Sequence, residues 1–479
     1  MRKGVLLGLL AVLIAAVLLF PEARERWRRM GLWGDYSGYN FLLITLDTTR
    51  ADFLSCYNRG LEPMPGIERA SGGGVLFRAA TAPTTTTVPS HASILTGLYP
   101  SEHGILHNIQ PLDTAWVSMA EMFGDAGYRT AAFLSAEGIL SRNLGQGFET
   151  IDDTVPPGEL LGWQRSAAST NRRAFEWLAA NVAEPFFLWV HYYDPHTPMV
   201  ATLETKRRVP GYDGPFCWGL RVEDVPGHLR GDTLSAEDRA FLRALYEEEV
   251  RVMDEGIRDL LLEIEELGLG NRTVVLFAGD HGQSLGEKNY IGHDGDLLHE
   301  PLLHVPLLLC LPPAPRGVPG ETAGLPYLRE QVSDPVGLCD VLPTVLALFP
   351  ALAPPPYPIS GRSLLPLCER IGGRRALRAV FSEAPADLEE GVILPRRIFA
   401  ATDGRWKIVI GPYGTAFYDL LRDPDEERPA DAGARRAREM EEELREWVAS
   451  LEVRGPRRAP PVAEETMEAL QALGYLPVP

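Results

Sequence analysis

The chemistry of this sequence is concentrated in one stretch, T-T-T-T-V-P-S-H-A-S-I-L-T-G, which runs from Thr84 to Gly97. Pro89 suits the first position of a short helix, where no backbone N–H is needed, and Gly97 suits the end of that helix. A hydroxyl at the mouth of such a helix faces unpaired N–H groups and the positive end of the helix dipole, which favours an anionic ester group. Thr87 is therefore the candidate nucleophile.

Two acidic positions and a histidine directly follow apolar runs of strand length. Asp47 follows the run 41–46, and Asp280 and His281 follow the run 273–277. Such runs are typical of buried parallel strands, and open α/β sheets bind ligands at the carboxyl ends of their strands. These three side chains and the Thr87 oxygen could surround one divalent cation, which would lower the pKa of the hydroxyl and neutralise charge on the attacked group.

The elements that must position these residues alternate along the chain. Further apolar runs are typical of strands, and polar stretches with helical spacing separate them, so the sequence predicts an α/β layered fold with a mainly parallel sheet. From about residue 377 the β-like runs become shorter, and an amphipathic helix is expected around residues 440–451. The expected strands of the main sheet include 130–134, 186–190 and 305–309, and the expected helices include 116–126, 235–267 and 334–349.

Charge and cysteine usage exclude several classes of protein. The formal net charge of −19, without a basic stripe beyond the N-terminal flank, argues against nucleic acid as a partner. The five cysteines are widely spaced and contain no C-x-x-C pair, which argues against a zinc ribbon or a disulfide-rich scaffold.

The N-terminal residues suggest a membrane segment. Gly4 to Phe20 is a run without charged residues, near the lower length limit for crossing the hydrocarbon layer. No small-x-small cleavage site follows it, so we expect a signal anchor within residues 1–30 rather than a cleaved signal peptide. Four arginines between residues 24 and 29 leave the membrane orientation open.

The order of residues around the candidate nucleophile resembles a family signature. Thr87, Pro89, Ser90, His91, Thr96 and Gly97 follow the spacing of C-x-P-S-R-x-x-x-x-T-G, so the chain resembles the sulfatase family of the alkaline phosphatase superfamily. The stretches L-D-T-T-R-A-D and G-D-H-G-Q-S-L-G-E look like that family's first and late metal motifs. The resemblance implies an alkaline-phosphatase-like three-layer core, plus a small C-terminal β/α subdomain.

The sequence departs from the signature at two positions. Threonine stands in the position of the cysteine that the family oxidises to formylglycine, and threonine cannot give that aldehyde. Thr87 is therefore similar to the threonine nucleophile of phosphodiesterases and phosphoethanolamine transferases of the superfamily. Histidine stands in the arginine position, so the resemblance implies that His91, together with Asn108, contacts the anionic group.

Further site residues are implied by the same resemblance. The stretch H-Y-Y-D-P-H-T-P is similar to the family's D-P-H-x-P motif, which makes His196 a substrate contact or general acid and Asp194 its orienting neighbour. His293 lies where relatives protonate the leaving oxygen, and His299 is a weaker candidate for substrate binding. Alternatively, His293, His299 and His304 complete a second metal site with Asp194 and His196. The family's Lys-x-His pair is absent, which predicts a less highly charged substrate, such as a diester or a monosulfate.

Together these features predict a metal-dependent hydrolase of sulfuric or phosphoric esters that uses Ca, Mg, Mn or Zn. The substrate would be a small anionic ester, carried by a glycan or a lipid. Two alternatives remain, a phosphodiesterase or phosphotransferase acting on lipid or glycan headgroups, and a non-catalytic anion-binding protein on the same fold. The expected parts are an anchor (1–30), a catalytic domain (36–370) that is periplasmic or extracellular, a C-terminal subdomain (376–453) and a tail (454–479).

Overall fold

The computed structural model describes residues 35–139, 142–157, 164–220, 227–228, 234–293, 297–312, 330–368, 378–389, 392–412, 414–451 and 457–458. Its strands are β1 Asn40–Leu46, β2 Gly74–Thr81, β3 Arg129–Leu134, β4 Thr150–Asp152, β5 Phe186–Tyr192, β6 Met199–Val200, β7 Gly219–Leu220, β8 Gly227–His228, β9 Thr273–Gly279, β10 Ser284–Leu285, β11 Tyr290–Gly292, β12 His304–Val305, β13 Leu307–Cys310, β14 Gln331–Gly337, β15 Val380–Glu383, β16 Asp387–Glu389, β17 Val392–Leu394, β18 Phe399–Thr402, β19 Trp406–Gly411, β20 Gly414–Asp419 and β21 Arg457–Arg458. Its α-helices are α1 Pro65–Ser71, α2 Thr87–Thr96, α3 Pro100–His103, α4 Met119–Asp125, α5 Ala167–Asn181, α6 Leu203–Arg208, α7 Ala236–Glu266, α8 Glu300–Leu303, α9 Val341–Leu348, α10 Leu365–Cys368 and α11 Arg435–Ser450.

A mixed, mainly parallel sheet forms the centre of the molecule. Its strand order is β12-β2-β13-β9-β1-β5-β3-β4, and β14 pairs with β2 beside this path. All seven residues of β1 are buried, and successive side chains enter opposite layers. Phe41 and Leu43 join one hydrophobic core, whereas Leu42 and Ile44 join the other, because side chains alternate across a strand. The predicted three-layer α/β fold is confirmed.

The sheet brings the carboxyl ends of the three neighbouring parallel strands β9, β1 and β5 to one edge. β1 lies between β5 and β9, and Leu46 is in register with Tyr192 and with Gly279. The backbone N–H of Asp47 donates to Tyr192 O at 2.9 Å, so the chain segments that follow these strands start at the same level. The carboxyl-end edge therefore carries both predicted metal motifs and the D-P-H stretch.

Two predicted helices differ from the observed elements. α2 begins at Thr87, so Pro89 is its third residue rather than its first. Residues 334–349 do not form one helix, because β14 pairs in parallel with β2 through a bulge and the helix α9 starts only at Val341. The apolar side chains of Val332 and Val336 enter the core from this strand, and their spacing of four residues fits a helix equally well in the sequence.

The C-terminal strands β15, β18, β19 and β20 form a separate antiparallel sheet. α11 packs on it through Met440 and Leu444, which contribute to a third hydrophobic core with Phe399 and Ile408. The domain boundaries stay predictions. The predicted N-terminal membrane segment lies outside the described residues, and within the described ranges no helix is long and apolar enough to cross a membrane.

Candidate active site

The helix α2 places Thr87 at its N-terminus. All ten residues of this helix are buried, and Gly97 ends it with a φ of +71°, a left-handed conformation that favours glycine. The N–H of Val88, in the first turn, donates to Asn108 Oδ1 at 2.9 Å. Asn108, predicted as a substrate contact, therefore holds the start of the helix through its side-chain oxygen.

Thr87 faces one of the predicted metal ligands. Its Oγ1 lies 3.2 Å from His281 Nε2. The other ring nitrogen of His281, Nδ1, lies 3.0 Å from the carbonyl oxygen of Gly282, which can only accept a hydrogen bond. Nδ1 therefore carries the ring hydrogen, and Nε2 presents its lone pair to the Thr87 hydroxyl.

Asp47 and Asp280 are both fully buried beside this contact. Burial raises the pKa of both carboxyl groups, and for Asp280 the negative charge of Asp47 raises it further. Asp280 Oδ1 accepts from the backbone N–H groups of Thr48 at 3.1 Å and His281 at 2.7 Å. In contrast, Asp280 Oδ2 and both carboxylate oxygens of Asp47 have no hydrogen-bond partner.

These orphan oxygens fit a divalent cation. Ligand atoms of Asp47, Asp280 and His281 lie within 4.8 Å of one another, and all three residues are buried. Unpaired buried carboxylates are costly unless a cation compensates them, and a mixed carboxylate–imidazole set suits metals such as Mn or Zn. Within the described ranges this is the one such group of three residues, and the second metal site stays a prediction.

Two further histidines surround the carboxylates. His91 Nδ1 lies 2.8 Å from Thr87 O and 3.6 Å from Asp280 Oδ2, which brings the predicted anion contact to the cluster. His191, which the sequence analysis did not single out, places Nε2 3.3 Å from Asp47 Oδ2. Burial lowers the pKa of both rings, to about 3 for His191. Both histidines are therefore neutral, unlike the arginine of the signature.

His196 and His293 meet on the other side of His281. Their Nε2 atoms lie 3.1 Å apart, and the rings of His293 and His281 have centroids 4.5 Å apart. His196 Nδ1 lies 2.6 Å from Thr197 O, and His293 Nδ1 lies 3.1 Å from Thr85 O. Both Nδ1 atoms face carbonyl oxygens, which can only accept, so the two Nε2 atoms face each other, and burial lowers the pKa of His196.

The remaining predicted residues, Asp194 and His299, have no recorded contact with the Thr87 hydroxyl. Asp194 Oδ1 accepts from the backbone N–H of Ala167, at the start of α5, at 3.1 Å. His299 has no contact with Thr87 or the two aspartates among the described residues. Burial, together with the charge of Lys407, lowers its pKa to about 3, and neither ring nitrogen has a hydrogen-bond partner. The structure thus brings His91, His196 and His293 to the cluster and leaves His299 outside it.

The sequence analysis did not single out Arg142, a buried arginine. Arg142 lies in the segment that follows β3, and its side chain is buried. No spacing in the sequence marks an arginine eight residues beyond a strand, and only its burial singles it out.

Comparisons with known proteins identify the family. The profile of the family described as Sulfatase matches residues 39–351. The multifunctional alkaline phosphatase superfamily protein PehA of Trinickia caryophylli is 24% identical over 408 residues, covering 68% of this chain and 76% of that protein. Arylsulfatase K of Canis lupus familiaris is 23% identical over 464 residues, covering 87% and 84%.

Solved structures share the fold. Phosphonate monoester hydrolase of Agrobacterium radiobacter superposes with a TM-score of 0.67 at 21% identity, over 88% of this chain and 100% of that one. The family profile covers well over half of the sequence. The chain therefore belongs to the sulfatase family of the alkaline phosphatase superfamily, and it is an ester hydrolase.

Proposed function

We propose that this protein hydrolyses sulfuric or phosphoric esters with the Thr87 oxygen as nucleophile. The observation that carries the proposal is the 3.2 Å contact between Thr87 Oγ1 and His281 Nε2, at a helix N-terminus and beside two buried carboxylates. A hydroxyl so placed has proton acceptors within reach, and the helix dipole favours negative charge on the attacked group.

The reaction proceeds in two displacements. Thr87 Oγ1 forms a bond to sulfur or phosphorus while the bond to the ester oxygen breaks, and the Thr87 proton passes to the Asp47 carboxylate beside it. The leaving oxygen takes a proton from His293 or His196 as it departs. Water then attacks the threonine ester, restores the hydroxyl and releases sulfate or phosphate.

Asp47, Asp280 and His281, with the Thr87 oxygen, would hold the divalent cation. When bound, such a cation lowers the pKa of a neighbouring hydroxyl and neutralises charge on the transferred group. His91 and His191 lie beside the carboxylates as neutral rings, so they add no fixed positive charge to the site. The substrate class is a small anionic ester, on a glycan or a lipid.

The proposal includes the placement of the chain in the cell. Gly4 to Phe20 anchors it in a membrane, and the catalytic domain lies outside the cytoplasm. The supporting observation is the uncharged run itself, together with the absence of a cleavage motif. Carbonate extraction of membranes and protease accessibility in intact cells test this part separately from the chemistry.

The experiment measures turnover of aryl sulfate, aryl phosphate and aryl phosphodiester with added Mn, Zn, Ca or Mg. Thr87→Ala should lower kcat at least about a thousandfold, because removal of a nucleophile commonly costs that much or more. Thr114→Ala, an exposed threonine in a loop, is the matched control and should leave kcat unchanged. Mass spectrometry of quenched reactions should find the covalent ester on Thr87.

The outcomes separate the alternatives. Full activity in Thr87→Ala would overturn the nucleophile. Faster transfer to an alcohol acceptor than to water would identify a phosphotransferase. No turnover of any ester, with no metal retained by elemental analysis, would identify a non-catalytic anion-binding protein.

A further inference from the structure

The most exposed large apolar side chains of the described residues lie together at α6. Trp218 and Leu203 are each 78% exposed, and Val200, which pairs with Gly219 directly after Trp218, is 44% exposed. Lys206 Nζ lies over the Trp218 ring, 4.4 Å from its centroid. Leu203 and Lys206 are three residues apart on α6, a spacing that places two side chains on one helix face. One continuous surface, which we call the Trp218 surface, therefore contains Val200, Leu203, Lys206 and Trp218.

The backbone holds Trp218 in its exposed position. Its carbonyl oxygen accepts from the N–H of Ala201 at 3.3 Å, and the N–H of Gly219 donates to Phe216 O at 2.8 Å. Gly219 has a φ of +128°, and a Cβ there would lie 2.1 Å from Met199 O, so a glycine is needed where β7 approaches β6. The pairing of these two strands therefore fixes Trp218 at the surface of the protein.

The charged groups next to these apolar side chains are mainly basic. α6 carries Lys206, Arg207 and Arg208 against one acidic residue, Glu204, although the whole chain has a formal net charge of −19. The side chain of Arg207 is 77% exposed, and its 3.2 Å ion pair with Glu204 is an exposed pair of the kind that contributes little. Lys206 and Arg207 thus place positive charge beside the apolar side chains.

The carboxylates of α7 that face α6 are bound by α6 and by the residue that caps it. Arg208 Nη1 lies 2.8 Å from Glu247 Oε1. The two carboxylate oxygens of Glu248 accept from the hydroxyl groups of Thr202 and Thr205. The basic groups on the exposed side of α6 are therefore available to an anionic partner.

We propose that the Trp218 surface docks on a lipid bilayer with anionic headgroups. Tryptophan is enriched at membrane–water interfaces, because its ring is apolar and its N–H is a hydrogen-bond donor. The apolar side chains enter the boundary between headgroups and acyl chains, whereas the charges of Lys206 and Arg207 reach the lipid phosphates. This contact is separate from the proposed anchor at Gly4 to Phe20 and does not depend on it.

The size of the Trp218 surface favours a bilayer over a protein partner. Its three apolar side chains expose roughly 400 Å², about half of the area that each partner of a standard protein interface buries. A bilayer needs no complementary shape, and its affinity rises with the inserted apolar area and with the number of basic residues at the headgroups. A dimer held by this surface alone would be weak.

The Trp218 surface is close in the chain to the D-P-H stretch. β6 begins at Met199, directly after the segment from His196 to Pro198. The Cα atoms of His196 and Val200 are four residues apart and therefore at most about 14 Å from each other. Docking thus brings a bilayer near the loop that carries His196.

The first test measures contact between Trp218 and acyl chains in the full-length protein. Vesicles of phosphatidylcholine and phosphatidylglycerol carry bromine on the acyl chains near the headgroups, where it quenches any tryptophan that reaches the boundary. The emission of Trp218 is the difference between the wild-type protein and Trp218→Phe. Brominated vesicles should quench this emission, whereas unbrominated vesicles should not.

The second test changes the Trp218 surface and keeps residues 4–20. Leu203→Ser should shift the docking equilibrium about tenfold toward the undocked form, because it removes apolar area that enters the bilayer. Lys206→Gln and Arg207→Gln should each weaken docking about fivefold on vesicles with phosphatidylglycerol and leave it unchanged on pure phosphatidylcholine. Leu421→Ser, at a leucine that is 76% exposed elsewhere, is the matched control and should leave the quenching unchanged.

Each outcome decides the inference. Trp218 emission that brominated vesicles leave unquenched overturns it, as does an equal loss of quenching in Leu203→Ser and Leu421→Ser. Equal docking with and without phosphatidylglycerol contradicts the anionic headgroup. A dimer in sedimentation velocity that Leu203→Ser abolishes, without quenching of Trp218, would identify an interface between two copies of the chain. None of these measurements involves ester turnover, so failure of the proposed function leaves them valid.

Discussion

His191, near the end of β5, meets Asp47 directly after β1, with the ring Nε2 3.3 Å from the carboxylate Oδ2. The opposite ring nitrogen, Nδ1, lies 2.9 Å from Thr45 Oγ1, and this oxygen accepts a hydrogen bond from Trp189 Nε1 at 2.8 Å. These contacts hold the imidazole beside Asp47. Neither His191 Nε2 nor Asp47 Oδ2 has a hydrogen-bond partner, so the ring positions by packing a carboxylate that would bind the metal.

His191→Phe should weaken metal binding about 10- to 100-fold, because removal of a group that orients a metal ligand typically has that effect. Competition dialysis of Mn or Zn against a chelator, followed by elemental analysis, measures this without reference to turnover. His304→Phe is the control, because His304 binds Arg78 O and does not touch the two aspartates. Equal metal retention in the wild-type protein and in His191→Phe would show that His191 does not support the metal ligand Asp47.

The sequence predicts the position of site residues that directly follow a strand. It does not predict the position of residues that only tertiary packing brings to the site. Asp47, Asp280 and His281 follow apolar runs, so their meeting at one edge of the sheet could be predicted. His191 lies inside such a run and looks like a strand residue. Arg142 lies in an irregular segment, where its carbonyl oxygen accepts from the N–H of Leu112, a contact that no spacing in the sequence marks.

The same distinction applies to the fold. The long helix α7 and the strands β1, β3, β5 and β9 could be predicted, because the helix has a clear apolar periodicity and each strand is a continuous apolar run. The second half of β14 was predicted as part of a helix. Its conformation is decided by pairing with β2, which lies more than 200 residues earlier in the chain, so the local sequence does not indicate a strand.

Glu383 predicts a change of stability with pH. This buried carboxyl group accepts from the N–H of Ser101 at 2.8 Å, and burial raises its pKa to about 7. Between pH 4.5 and 7 the unfolded chain releases the proton that the folded chain keeps, so this group lowers the free energy of unfolding as pH rises. The decrease in the free energy of unfolding is complete above about pH 7 and amounts to about 3 kcal/mol.

Glu383→Gln should remove this part of the pH dependence. Urea unfolding at intervals from pH 4 to pH 8 should give a smaller fall in stability for the variant than for the wild-type protein. Glu446→Gln, at an exposed position of α11, should retain the wild-type profile. Parallel curves for wild type and Glu383→Gln would show that Glu383 titrates equally in both states.

Lys407 joins the C-terminal sheet to the helix α8 through two carboxylates. Its Nζ lies 3.0 Å from Glu300 Oε1 and 3.1 Å from Glu426 Oε1, and the side chain is buried. Lys407→Met leaves the two carboxylates facing each other, so it should lower the free energy of unfolding by about 3–5 kcal/mol. Calorimetry or chemical unfolding measures this loss.

The combination of Lys407→Met with Glu300→Gln and Glu426→Gln should recover a large share of the stability, because it removes the uncompensated charges together. Lys206→Met, at an exposed lysine of α6, serves as the control and should change stability by less than about 0.5 kcal/mol. No recovery in the triple variant would mean that packing, and not charge, causes the loss.

Gly282 ties the position of His281 to the neighbouring backbone. A Cβ at this residue would lie 2.0 Å from Pro301 O, and its N–H donates to Leu302 O at 2.7 Å, so any side chain forces the two segments apart. The carbonyl of Gly282 also fixes the tautomer of His281. Gly282→Ala should therefore displace His281 Nε2 from Thr87 Oγ1 and lower kcat about a hundredfold, which is a typical cost of a 1 Å misplacement.

Gly73→Ala is the matched control, because a Cβ at Gly73 meets nothing within 4 Å. For each of the two variants, the change in kcat is compared with the change in unfolding temperature. Gly282→Ala should lose activity by far more than its loss of stability explains at a temperature where it stays folded. Wild-type kcat in Gly282→Ala would show that the contact between Thr87 and His281 tolerates this displacement and does not limit the reaction.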